Sequence, residues 1–192
     1  MSQKISSTAI KQNSTSHALG DARGKSPQES AVVMTELVLP SDTNAIGTIF
    51  GGKIMSWIDI AGAITASRHS RRTVVTASID ALHFLAPVKL GHFVHIRAAV
   101  NFVSRTSMEV GVRVDSENPL TGEFTHTATA YTTFVALDDH SRPTQVPRLI
   151  LQTPTDKRRH TAAQKRRESR VRLAEEIKLA EKQSAHENDP QQ

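Results

Sequence analysis

Gly51-Gly52-Lys53-Ile54-Met55-Ser56-Trp57-Ile58-Asp59-Ile60-Ala61-Gly62-Ala63-Ile64-Thr65-Ala66-Ser67 is the stretch on which the fold turns. It holds no proline, and apolar residues fill most of it from Ile54 to Ala66. Its length favours a buried helix over residues 53–67 rather than a strand. A helix that is apolar on most sides is wrapped by other structure, not laid on a surface. In its middle stands one carboxylate, Asp59, with Met55, Ser56, Gly62 and Ala63 as its helical neighbours.

Working outward, residues 32–39 alternate weakly and stop at Pro40, which reads as a first strand. A polar loop, Ser41 to Gly47, leads to Gly51-Gly52. After the helix, β-type runs occupy residues 73–84, 91–103, 107–115 and 122–137, separated by turns rich in Pro, Gly, Ser and Asn. One strand, one long buried helix and then a meander of strands make an α+β fold: an antiparallel sheet with a central helix packed on it.

Hydrophobic residues make up only 38% of the 192-residue chain, and they concentrate between about 31 and 151. The chain therefore divides into a flexible N-terminal arm at 1–30, one folded domain at 31–151 and a basic tail at 152–192. In the tail, residues 155–185 turn helical and charged. Leu173, Ile177 and Ala180 form a thin stripe, and Glu168 stands four residues before Arg172. The tail reads as a solvated helix, or one docked on a neighbour. It carries much of the net charge of +5, but lacks the interleaved aromatics of a nucleic-acid surface, so nucleic acid is not an expected partner.

There are no cysteines, which excludes disulfides, zinc thiolates and a cysteine nucleophile. No apolar run approaches the ~20 residues that cross a bilayer, and the N-terminus has no secretory core. The Ser-rich, basic residues 1–28 read as a flexible arm rather than a targeting segment. A cytoplasmic protein without a membrane partner is expected.

Asp59 carries the chemistry. A carboxylate among apolar side chains loses solvation, and its pKa is expected to rise above about 3.9. Gly51-Gly52 opens the helix, where unpaired backbone N–H groups and the helix dipole favour negative charge. Such a site can stabilise an oxyanion while Asp59 manages the attack. Nine histidines show no metal-ligand spacing, so neither metal nor cofactor is expected. His92 and His95, three apart on a strand, point to opposite faces. No Gly-x-Ser-x-Gly occurs, which disfavours a serine esterase.

The run from Leu39 through Asp59 closely resembles the opening of YciA-like and cytosolic acyl-CoA thioesterases of the hotdog superfamily. Val74-Val75-Thr76, Phe84-Leu85-Ala86-Pro87-Val88 with Gly91, Ser104-Arg105-Thr106-Ser107, Ala136-Leu137-Asp138 and Val146-Pro147 match in register. The resemblance covers about residues 32–150. It implies a hotdog fold, a homodimer with sites at its interface, and a trimer of such dimers. It implies acyl-CoA hydrolysis to free CoA and a carboxylic acid. Asp59 is then general base or nucleophile, Asn44 positions water or substrate from the opposite subunit, and the Gly51 or Gly52 amide polarises the thioester carbonyl. Ser104, Arg105, Thr106 and Ser107, with Phe84 and Pro147, would contact CoA or the acyl group; by itself Arg105 reads equally as a solvated hairpin turn. Coenzyme A is substrate and product here, not a cofactor. Lys53 and His83 depart from the family pattern. No histidine occurs between Pro40 and Gly52, which argues against a hotdog dehydratase. The competing reading is a non-catalytic acyl-CoA-binding module whose basic tail contacts nucleic acid or a partner protein.

Overall fold

A computed structural model of the chain describes residues 23–80 and 82–187. The elements run α1 (Pro27–Ser30), β1 (Val32–Leu37), a 3-10 turn (Pro40–Asp42), α2 (Gly51–Ser70), β2 (Thr73–Ile79), β3 (His83–Phe84), β4 (Phe93–Val103), β5 (Ser107–Glu117), β6 (Phe124–Leu137) and α3 (Pro154–Glu187). The strands form one antiparallel sheet in the order β1-β4-β5-β6-β2, with β3 also pairing β6. This is the expected α+β hotdog arrangement. Most of the expected N-terminal arm, everything before Arg23, lies outside the described residues. The remainder is docked: Lys25 bridges to Leu149, and its ammonium donates to the His69 carbonyl at 2.8 Å. None of the described helices is long and apolar enough to cross a membrane.

The central helix is longer than expected, running from Gly51 to Ser70. Its C-terminus is closed by Arg71 in the left-handed conformation, φ 54°. The Arg71 N–H reaches the Ser67 carbonyl at 2.7 Å. Ile54, Trp57, Ile58, Ala61, Gly62, Thr65, Ala66 and His69 recur at helical spacing and are buried against the sheet. They meet Val94, Ile96, Val100, Val110, Val112, Val114, Ala130 and Phe134, alternate residues of β4, β5 and β6. Gly62 is required here, because a Cβ would stand 2.8 Å from the Phe134 ring.

Two expectations change. The strand expected over 73–84 is broken into β2 and β3, with the Asp80 amide bonded to the Tyr131 carbonyl at the break. The helix is also not wrapped on all sides. The sheet covers one side only, leaving Met55, Ile60 and Ile64 exposed on the other.

The tail helix α3 docks on its own sheet through its first half. Thr153 and Asp156 cap it reciprocally: the Asp156 amide donates to Thr153 Oγ1 at 3.1 Å and the Thr153 amide to Asp156 Oδ2 at 2.9 Å. Ala163 is fully buried. Arg166 lies over the Tyr131 ring, 3.5 Å from its centroid, and donates to Glu109 Oε1 at 2.6 Å. Arg170 reaches Asp80 at 2.7 Å and Glu109 at 3.3 Å. Beyond this the helix is open, with Leu173 and Ile177 exposed and Arg172 facing Glu176 at 3.9 Å.

Candidate active site

Asp59 sits half-buried on the open side of α2, between Met55, Ile60 and Ala63. Its expected enclosure among apolar groups is not met within one chain, because no described element of the chain covers that side. Among the described residues one polar partner reaches it: the Thr76 hydroxyl donates to Asp59 Oδ1 at 2.6 Å. Thr76 lies on the edge strand β2, immediately before the register shift between Thr76 and Ser78. A bulge of this kind re-aims side chains, and such features cluster beside active sites.

The Gly51 and Gly52 amides, at the head of α2, make no hydrogen bond among the described residues. Phe50 precedes them as the N-cap and offers no side-chain hydrogen bond. A shallow apolar pocket of about 280 Å³ opens beside them, lined by Ile49, Ile54, Phe84, Leu85, Pro87 and Val88. The Phe84 ring stands 3.4 Å from the place a Cβ on Gly51 would occupy. Asn44 occupies the exposed loop before the helix. Its Oδ1 accepts from the Ile46 amide at 3.1 Å and the Thr48 amide at 3.2 Å. Asp42 anchors this loop: the Leu39 amide and then the Lys53 ammonium hold its carboxyl below the usual range. Lys53, a departure from the family pattern, is thus a loop anchor and also lies 5.3 Å from the Trp57 ring centroid.

Distance along the helix now matters. The rise from Gly51 to Asp59 is about 12 Å at helical spacing. A carbonyl must lie about 3 Å from both its oxyanion donors and its attacking group. One chain therefore cannot bring its own Gly51 amide and its own Asp59 to the same carbonyl. The other expected contacts scatter further. Arg105 is exposed on the β4–β5 turn, where the Ser104 amide donates to the Ser107 carbonyl at 2.8 Å and the Thr106 carbonyl accepts from the Ala136 amide of β6 at 3.0 Å. Pro147 is buried, and its carbonyl accepts from His69 Nε2 at 3.1 Å at the far end of α2. In this chain it packs the helix terminus and lines neither the pocket nor the Asp59 surface. Thr76 is the residue to which the sequence alone assigns no role, although it stands in one of the matching motifs.

A family model described as the thioesterase superfamily matches residues 46–123. The chain is 44% identical over 143 residues to the uncharacterized acyl-CoA thioester hydrolase YkhA of Bacillus subtilis, covering 74% of this chain and 83% of that one. The chain belongs to the hotdog-fold acyl-CoA thioesterase family. Among solved structures, this thioesterase is similar to an apo-hexameric acyl-CoA thioesterase, with 43% identity, a TM-score of 0.77 and coverage of 79% and 97% of the two chains. It is also similar to an acyl-CoA hydrolase from Staphylococcus aureus in complex with butyryl-CoA, CoA and CoA disulfide, with 37% identity, a TM-score of 0.77 and coverage of 84% and 98%. That hydrolase has also been solved as three alanine variants, of an asparagine, an aspartate and a threonine in that chain order.

Proposed function

We propose that this thioesterase hydrolyses acyl-CoA to free CoA and a carboxylic acid at a site shared between two copies of the chain, with Asp59 as general base on water or as nucleophile. The observation that carries the reading is the pairing of a lone carboxylate, bonded to Thr76 on an open apolar surface, with a helix head whose amides are free. The Asp59 of one copy meets the Gly51 and Gly52 amides and Asn44 of the other. The amides take the oxygen of the tetrahedral intermediate, and the C–S bond then breaks to release the CoA thiolate. Asn44, Asp59 and Thr76 stand at the same two spacings as the residues varied in the S. aureus hydrolase, which supports giving all three a role. The Thr76 hydroxyl orients the carboxylate. The apolar pocket beside Gly51 receives the acyl chain, and Arg105 on its exposed turn supplies a guanidinium to the CoA phosphates.

The pairing has its own support. Ile79 on the edge strand β2 is exposed on the same side as Met55, Ile60 and Ile64 of α2. An unpaired apolar edge next to an open apolar helix face is a surface built to be covered. A second copy joined through β2 covers both and encloses Asp59. Assembly of such dimers into a hexamer follows the hexameric relative.

The test is free-thiol release across acyl-CoAs of graded chain length. Asp59→Asn is expected to fold, bind CoA and lose about 100- to 10,000-fold in turnover. Thr76→Val is expected to lose about 10- to 100-fold, the worth of one hydrogen bond to a charged group. Near-normal turnover in Asp59→Asn would overturn the mechanism. CoA binding by the wild type without thiol release would leave a binding module instead.

A further inference from the structure

The sheet face turned away from α2 carries a cavity of about 410 Å³ between the start of β1, β4, β5, β6 and the first turns of α3. Four arginines line it. Arg97 and Arg113 rise from the sheet, Arg158 and Arg159 come from α3, and no carboxylate is among the lining residues. The two sheet arginines share a single carboxylate set back from the cavity: Asp115 accepts from Arg97 Nη1 at 2.7 Å and from Arg113 Nε at 2.9 Å. His126 Nδ1 bonds the same group at 3.1 Å. One negative charge thus serves two guanidinium groups. Arg158 and Arg159 make no ion pair among the described residues.

The floor supplies an independent sign. Asn101 is 5% exposed, and its side-chain amide makes no hydrogen bond among the described residues. The residue is largely enclosed, but its amide keeps contact with the space of the cavity, where it is available to a ligand. The opposite strand makes room for it: a Cβ on Gly111 would crowd directly against Asn101 Nδ2. The cavity therefore offers an unpaired amide at its floor and four guanidinium groups along its lining. Guanidinium forks fit phosphate oxygens, and the volume falls within the range of about 300–1,000 Å³ typical of small-ligand sites.

We propose that this cavity binds a small molecule bearing two or more phosphate groups, held between Arg97 and Arg113 of the sheet and Arg158 and Arg159 of α3, with the Asn101 amide at its floor. The site lies across the sheet from Asp59, so its ligand is not the acyl group undergoing hydrolysis. The proposal stands independently of the proposed reaction. A phosphate-bearing ligand there would also tie α3 to the sheet.

Inorganic pyrophosphate is the probe, titrated calorimetrically into the full chain with and without saturating CoA. The expected result is one site per chain that persists under saturating CoA and in Arg105→Ala. The double variant Arg158→Ala/Arg159→Ala removes two exposed side chains without ion pairs and is expected to keep the wild-type melting temperature. It should weaken pyrophosphate by at least about tenfold. Gly111→Ala, which displaces the Asn101 amide, should weaken it as well. The proposal is overturned by no binding at millimolar pyrophosphate, by binding that CoA or Arg105→Ala abolishes, or by binding indifferent to the double variant.

Discussion

Asp59 and His69 lie on one helix and meet opposite surroundings. Asp59 faces the open side, while His69 is fully buried at the last turn, its Nε2 donating to the Pro147 carbonyl and its Nδ1 without a partner among the described residues. Burial pushes the His69 pKa down from its ordinary 6.5, and the Pro147 bond only partly opposes this. A second proton would place a charge in the core with nothing to receive it. The folded chain therefore keeps His69 neutral where the unfolded chain takes up a proton. The stabilisation is complete above pH 6.5 and is lost as pH falls from there toward the folded-state pKa. The slope in that window is about 1.4 kcal/mol per pH unit for this one proton. Melting temperature against pH is expected to decline from about pH 6.5 downward, and His69→Gln should flatten the upper part of the decline. The depressed carboxylates Asp42, Asp115, Asp138 and Asp156 shed their stabilisation only below their ordinary 3.8, so they leave this window clear. A wild-type curve that stays level between about pH 6.5 and 5 would refute the assignment.

Element by element, what is local in the sequence is legible there. The strands at 93–103, 107–117 and 124–137 announce themselves by alternation and by the turns between them, and α2 by its length. The break at Asp80 is hidden, because it arises where its amide bonds Tyr131 across the sheet. Thr76 is hidden for the same reason: it meets Asp59 only when a bulged strand crosses the helix. In α3 the apolar stripe at Leu173 and Ile177 points to the wrong half, which is open. The docked half is anchored by arginines whose shared partner, Glu109, lies far back in the chain on β5. Glu109 is 1% exposed, covered by α3 and paired with its Arg166 and Arg170. Truncation after Leu151 removes both, together with the helix that covers Glu109 and Tyr131, so this face of the sheet is uncovered and the burial of Ala163 is lost. The truncated chain is expected to melt well below the full chain in denaturant titration. Equal stability with and without the tail would show that α3 contributes nothing to the fold.

At the scale of the whole molecule, the rise of about 12 Å between Gly51 and Asp59 makes oligomerisation a condition of the proposed chemistry rather than an accompaniment to it. This can be tested without a structure of the assembly. In a two-fold dimer each site takes Asp59 from one copy and Asn44 from the other. Asn44→Ala spoils one half of each site and Asp59→Asn the other, so each variant alone should be nearly inactive. A mixed dimer of the two variants contains one site with both defects and one site with neither. Random pairing after co-expression or co-refolding makes half the dimers mixed, which predicts return of about one quarter of the wild-type rate. A site built within a single chain gives no return at any mixing ratio, because every chain carries one defect. The same reasoning ties activity to the apolar surface around Asp59: replacing Ile60 or Ile64 by Asp in both partners should abolish the return along with the dimer, since an exposed charge there opposes burial by a second copy. Restored turnover that survives these substitutions would mean that the two copies meet elsewhere, and that the open face of α2 has another use.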